Sequence, residues 1–140
     1  MMNYFRITSN QLSELWELQK AYKNEIGEEA PTEQDMKALE NAIEKEVIVF
    51  YGAFDGEALV GCCSVTKGFS TFNYEVSGVF EDFYIAPEYR QRGIAKELVK
   101  YAYIESKVGS LTVGCADCDV KMYEALGFSI PLGNLLAYES

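Results

Sequence analysis

The chain has 140 residues, 49% of them hydrophobic, and a net charge of −10. That length predicts one domain spanning residues 1–140, with enough apolar residues for a core. The acidity argues against nucleic acid or an anionic membrane surface as partners, because both need a basic footprint.

Residues Asn3–Thr8 alternate weakly and predict a first strand. From Ser9, an acceptable N-cap, Leu12, Leu15, Trp16, Gln19 and Tyr22 follow helical spacing. The acids Glu25, Glu28 and Glu29 lead to Pro31. Thr32, with Asp35 three residues on, predicts a capping box and a second helix through Met36, Leu39, Ala42 and Ile43. Val47–Phe54 is apolar, β-branched and aromatic, as a buried strand should be. Asp55-Gly56 is a hairpin turn signal, and the chain returns over Ala58–Thr66. A loop over Lys67–Asn73 and a long strand over Tyr74–Ile85 come next. Gln91–Lys107 predicts a helix with Ile94, Leu98, Val99, Ala102 and Tyr103 toward the core. Leu111–Cys115 reads as a short strand. Asp117 can cap a last helix through Leu126, which Gly127 would end. Phe128–Tyr138 reads as a final strand broken near Gly133. The order β-α-α-β-β-β-α-β-α-β predicts an α/β fold, a mixed sheet with helices on both faces.

Met1–Asn10 lacks the apolar core of a secretory leader, and no stretch approaches the roughly 20 apolar residues of a membrane span. A cytoplasmic protein is the expectation. Cys62 and Cys63 are adjacent in a strand and should point to opposite faces. Cys115 and Cys118 have half the spacing of a zinc site, but there is no second pair and no histidine. Reduced thiols and no metal are expected.

The segment around Arg90, Gln91, Arg92, Gly93, Ile94, Ala95 and Lys96 carries the first chemical signal. A strand ends at Pro87, a basic turn with one glycine follows, and a helix begins. Helix N-terminal N–H groups lack intrahelical partners and carry partial positive charge, so the turn can cradle a diphosphate. No Gly-Lys-Ser/Thr follows, and the three-glycine dinucleotide fingerprint is missing, which disfavours nucleotide hydrolysis and hydride transfer.

The run Ile85-Ala86-Pro87-Glu88-Tyr89-Arg90-Gln91-Arg92-Gly93-Ile94-Ala95 resembles the acetyl-CoA motif of the GNAT (general N-acetyltransferase) superfamily. A second signature, Asp117–Phe128 ending in Tyr123-Glu124-Ala125-Leu126-Gly127-Phe128, lies at the expected distance. The resemblance covers essentially the whole chain, with Ala95 where glycine is commoner. It implies an acyl-CoA-dependent N-acyltransferase in which splayed parallel strands admit the pantetheine arm. The backbones of Phe83, Tyr84 and Ile85 would bond that arm, and Arg90–Lys96 the pyrophosphate. Asp117 is counted among the cofactor positions. Tyr123 falls where the family places its general acid, which would protonate the departing thiolate.

Acyl transfer needs a neutral amine, yet a free one titrates near pH ~10.4. Glu81 or Asp82 could take that proton. Adjacent strand residues face opposite sides, so one of them faces the cleft unless a bulge re-aims them. A narrower resemblance joins Phe69-Ser70-Thr71-Phe72 and Phe80-Glu81-Asp82-Phe83-Tyr84-Ile85 to the spermidine/spermine (diamine) N-acetyltransferase branch. Glu25, Glu28 and Glu29 lie where that superfamily places its substrate lip and would hold the distal ammonium of a diamine. The expected reaction is direct acetyl transfer to a primary amine in a ternary complex. A protein N-terminus, a lysine or an aminoglycoside are alternative acceptors, and a non-catalytic acyl-CoA-binding module is the alternative class. The segment Ser129–Ser140 could be exchanged in a homodimer.

Overall fold

A computed structural model describes residues 1–140. The elements are β1 (Met2–Arg6), α1 (Leu12–Glu25), α2 (Glu33–Glu44), β2 (Ile48–Asp55), β3 (Ala58–Ser70), β4 (Glu75–Ile85), α3 (Ile94–Ser106), β5 (Ser110–Val113) and α4 (Val120–Ala125). Short 3-10 turns precede α1, α3 and α4. The five strands form one sheet in chain order. Strands β1 to β4 are antiparallel neighbours, and β4 and β5 are parallel, joined by the α3 crossover.

Alternation along the central strands explains why both faces are covered. Val49, Tyr51, Ala53, Val60, Cys63, Val65, Phe80 and Ile85 pack with Ile94, Leu98, Val99 and Ala102 of α3. Phe50, Phe54, Cys62 and Tyr84 pack on the other face with Leu15 and Leu18 of α1 and Ile43 of α2. Cys62 and Cys63 therefore do point to opposite faces. Both thiols are buried, and burial pushes their pKa values up.

Local signals place most boundaries. The Thr32–Asp35 capping box forms as the spacing predicts. The cap expected at Ser9 falls on Thr8, which makes the box with Gln11 at the head of the 3-10 turn, and α1 follows from Leu12 with no side-chain cap of its own. Residues Lys67–Ser70, expected in a loop, continue β3 and pair with Glu75–Gly78, because the backbone ladder outweighs their exposed side chains. Tyr103, expected toward the core, is 44% exposed, since Leu98, Val99 and Ala102 already fill the face that α3 turns to the sheet. Asp117 makes no side-chain cap; it opens a 3-10 turn whose flanking residue is Ala116.

The final strand does not form. Phe128 is half-buried against the core and closes α4, while residues 129–138 join no strand and lie exposed, because alternation alone cannot make a strand without a neighbour to complete its hydrogen bonds. The architecture is thus a five-stranded mixed sheet with α1 and α2 on one face and α3 on the other.

Candidate active site

The site grows from the far end of β4. The parallel ladder joins Ser77–Phe80 to Ser110–Val113 and goes no further. Beyond Phe80, β4 continues to Ile85 while pairing only with β3, so its other edge is open. This opening between parallel strands lies where Phe83, Tyr84 and Ile85 present their backbone.

A bulge sits at the start of that open stretch. The register passes from Ser64↔Glu81 to Cys62↔Tyr84, so Asp82 and Phe83 together oppose Cys63. Asp82 is the bulged residue and has a left-handed φ of 54°. Asp tolerates that region better than most residues. The bulge aims its carboxylate at the α1 face, where the buried Ser64 hydroxyl donates to Oδ2 at 2.7 Å. Gln19 of α1 donates to Oδ1 at 3.5 Å, the long end of a hydrogen bond. Glu81 is exposed. The two acids are thus in different settings, one held by the fold and one in solvent.

Tyr123 lies on α4 beside this stretch. The helix ends with Gly127 N–H donating to Glu124 and Phe128 N–H donating to the Tyr123 carbonyl, both at 3.0 Å, with Gly127 left-handed. That cap packs Phe128 against Tyr123 with ring centroids 5.9 Å apart, and Phe83 lies 6.2 Å away on the β4 side. Burial pushes the Tyr123 phenol up to about 12, with Tyr22, Asp119 and Cys115 adding to the rise. The phenol is therefore protonated at neutral pH, as a proton donor must be. Burial also raises Tyr22, with Asp82 the next cause, so Tyr22 lies within electrostatic reach of both groups. Its ring meets Tyr84 at 6.0 Å.

The basic turn has the backbone features an anion site needs. Gln91 (φ 62°) and Gly93 (φ 80°) are both left-handed. Gly93 is the N-cap of α3 and has no side chain to occupy the first-turn N–H groups; the first bond of the helix is Glu97 N–H to the Gly93 carbonyl. A Cβ built on Gly93 meets nothing within 4 Å, so the mouth of the turn is open. The orphan N–H groups, the helix dipole, Arg92 and Lys96 fit a diphosphate. Tyr89 anchors the turn by donating to Asp55 at 2.6 Å, and Arg92 lies over the Tyr89 ring.

Arg90 points elsewhere. Its Nη2 bonds both oxygens of Glu25 at 2.8 and 3.0 Å, its Nε donates to the Ile85 carbonyl, and its guanidinium lies over Tyr84. The end of α1 is thereby pinned to the end of β4. Of the acids expected to form a substrate lip, Glu25 is paired with Arg90, Glu28 is paired with Lys23 at 2.9 Å, and Glu29 is exposed. The lip is less negative than its sequence suggests. Asp117 is exposed and makes no cap. A hollow of about 60 Å³ between α1 and α2 is lined by Trp16, Gln19, Pro31, Asp35, Met36 and Leu39. The Trp16 Nε1–H beside it is buried without a partner. The structure adds Ser64, Gln19 and Tyr22 to the candidate residues. Their only trace in the sequence is that two polar-tipped residues stand in the apolar stripe of α1.

The family described as acetyltransferase (GNAT) domain matches residues 46–130 of the chain, well over half of it. No curated protein sequence matches. Among solved structures, a predicted acetyltransferase with acetyl-CoA from Clostridium acetobutylicum is similar, at 18% identity and a TM-score of 0.80, over 99% of this chain and 96% of that one. An aminoglycoside acetyltransferase from an uncultured soil metagenomic sample, in complex with sisomicin, is similar at 13% identity and a TM-score of 0.83, over 99% and 95%. A ribosomal-protein-alanine N-acetyltransferase from Brucella melitensis biovar Abortus is similar at 16% identity and a TM-score of 0.79, over the whole of both chains. These likenesses establish the shared fold.

Proposed function

We propose, from the premise that the chain belongs to the GNAT family and is an acetyl-CoA-dependent N-acetyltransferase, that its acceptor is a small cationic primary amine with a second ammonium, such as a diamine or polyamine. The observation that carries the site assignment is the bulge at Asp82, which holds one carboxylate at the mouth of the strand opening.

Acetyl-CoA would supply an activated acetyl group and a thiolate leaving group. The α3 N-terminal turn with Gly93, Arg92 and Lys96 would hold its diphosphate, and the open edge of β4 its pantetheine. The remaining chemistry belongs to this chain. Asp82 accepts a proton from the acceptor ammonium, directly or through water, and leaves a nucleophilic amine. Ser64 and Gln19 keep the Asp82 carboxylate pointed at the cleft. The neutral amine would displace sulfur from the acetyl carbon, a C–N bond replacing the C–S bond and the second N–H proton passing to solvent; Tyr123 would give its phenolic proton to the departing sulfur and recover one from solvent, and Asp82 would return its proton to solvent. A covalent cysteine route is disfavoured: Cys62 and Cys63 are buried with raised pKa values, and the chain has no histidine to activate Cys115 or Cys118.

The cationic acceptor is supported by the net charge of −10 and by the acids Asp82, Glu81 and Asp119 around the opening. Glu29, exposed on the lip, and the hollow beside Gln19 leave room for the rest of the molecule. The four free thiols and acetyl-CoA use support a cytoplasmic setting. No helix is long and apolar enough to cross a membrane.

The test is free-thiol release from acetyl-CoA across a panel of amines. Diamines should give higher kcat/KM than monoamines of equal length, and the advantage should shrink as salt screens the field. If no diamine exceeds its monoamine counterpart, the polyamine reading fails. Thiol release with no amine at all, despite acetyl-CoA binding, would point to a binding module.

A further inference from the structure

The end of α1 is held by a residue whose motif position suggests a different task. Glu25 is the last residue of α1, where the helix dipole disfavours an acid unless a cation faces it. Arg90 supplies that cation: its Nη2 lies 2.8 and 3.0 Å from the two Glu25 oxygens, and its Nε donates to the Ile85 carbonyl at 2.8 Å. Two of its three nitrogens are engaged within the chain. The guanidinium also lies over the Tyr84 ring, which meets the Tyr22 ring of α1.

The Ile85 carbonyl belongs to the open edge of β4. Ala86 N–H donates to the Val60 carbonyl at 2.8 Å, so Ala86 and Val60 form a hydrogen-bonded pair. Ile85 and Gly61, beside them in the register, form a non-hydrogen-bonded one. The N–H and C=O of Ile85 therefore face away from β3. Arg90 takes the carbonyl and leaves the N–H to a ligand. One side chain thus joins the end of α1 to the edge where the cofactor arm is expected.

The same side chain controls how α1 meets Asp82. Leu15 and Leu18 fix the middle of the helix in the core. Gln19 and Tyr22 lie between that anchor and Glu25. Gln19 reaches Asp82 at only 3.5 Å, so a small shift of the helix breaks the bond. On the reading of Asp82 as the group that meets the acceptor amine, we infer that Arg90 and Glu25 are a positioning pair for the acceptor half of the site. Arg90 leaves the diphosphate to Arg92, Lys96 and the α3 turn, and holds α1 so that Gln19 and Tyr22 stand at Asp82. The Arg90 and Glu25 side chains are 40% and 44% exposed, so removing the pair disturbs the placement of α1 more than the stability of the fold.

Calorimetry with acetyl-CoA separates the two tasks. Arg90→Gln should bind it within about twofold of wild type, and Lys96→Gln about tenfold more weakly. An equal loss in Arg90→Gln overturns the inference. Kinetics read the acceptor half, with spermidine or whichever amine of the panel reacts faster. Arg90→Gln and Glu25→Gln should each lower kcat/KM for the amine about tenfold, with KM for acetyl-CoA unchanged. The double variant should be no worse than either, and Arg90→Lys should recover most of the loss. Additive losses, or no recovery with lysine, overturn the pairing. In an Asp82→Asn background, Arg90→Gln should add no further loss; a full additional loss shows that the pair does not act through Asp82. Wild-type turnover in Asp82→Asn itself overturns the Asp82 reading and the inference with it, so the two failures are told apart. Hydrogen exchange needs no acceptor. Arg90→Gln should speed exchange at Ile26, Gly27 and Glu28, whose amides bond to the last turn of α1, and leave α3 as in wild type. Unchanged exchange at the end of α1 overturns the inference.

Discussion

The two halves of β4 are made of similar residues and do different work. Ser77–Phe80 has neighbours on both sides, β3 and β5, and regular extended backbone. Glu81–Ile85 has β3 alone, and opens with a left-handed aspartate. Along Ser77–Phe80 both backbone edges face paired strands. In the second half, one edge is free to meet a ligand, and the bulge turns a side chain that strict alternation would have sent elsewhere. The proposed chemistry sits where the sheet stops closing on itself.

The sharpest way to test that contrast is at the proposed proton donor. Tyr123→Phe keeps the packing against Phe83 and Phe128 but removes the hydroxyl, so kcat should fall about 10²-fold or more with acetyl-CoA affinity retained. Wild-type turnover, with chemistry rate-limiting, would return Tyr123 to a packing role. Next come the two acids. Asp82→Asn should lower kcat at neutral pH by about 10², while Glu81→Gln, exposed in solvent, should change it little. Equal losses would mean that the bulge does not discriminate between them.

The closed half should answer through stability. A Cβ on Gly78 would come within 2.9 Å of Val65 and 3.1 Å of Leu111 and Val108. Gly78→Ala should therefore cost about 1–3 kcal/mol in urea unfolding and leave kcat of the folded enzyme unchanged. Gly93→Val, past the open end, forces a β-branched residue into a left-handed site at a cost of about 1–2 kcal/mol. Calorimetry should show acetyl-CoA binding weakened about tenfold. Unchanged affinity in the folded variant would remove the turn from the cofactor site.

The smallest effect expected is on alkaline stability. Burial raises Tyr22, Tyr51, Tyr84 and Tyr123 above their ordinary value near 10. Above pH 10 the unfolded chain loses phenolic protons that the folded chain keeps, so it binds fewer protons and stability falls as pH rises. The urea midpoint should begin to decline near pH 9, where the unfolded Cys62 and Cys63 thiols ionise and the buried ones do not, and fall further from pH 10 toward 12. An upward trend would contradict the burial of these phenols.

The sequence alone determined the features whose causes are local. Helical spacing, the Thr32–Asp35 box and the Asp55-Gly56 turn act over a few residues, and they placed α1, α2 and the β2–β3 hairpin. The same holds for the open turn at Gly93, where a glycine and a helix N-terminus suffice. What the tertiary structure decided involves partners far apart in the chain. Ser64 and Gln19 reach Asp82 across 18 and 63 residues, and only the β3–β4 register shows that Asp82 rather than Glu81 is held. Arg90 and Glu25, 65 residues apart, were assigned to different ligands by their motifs and bond each other instead. Residues 128–138 have the composition of a strand and are not one. Propensity sets what a segment can become, but a strand exists only where a neighbour completes its hydrogen bonds.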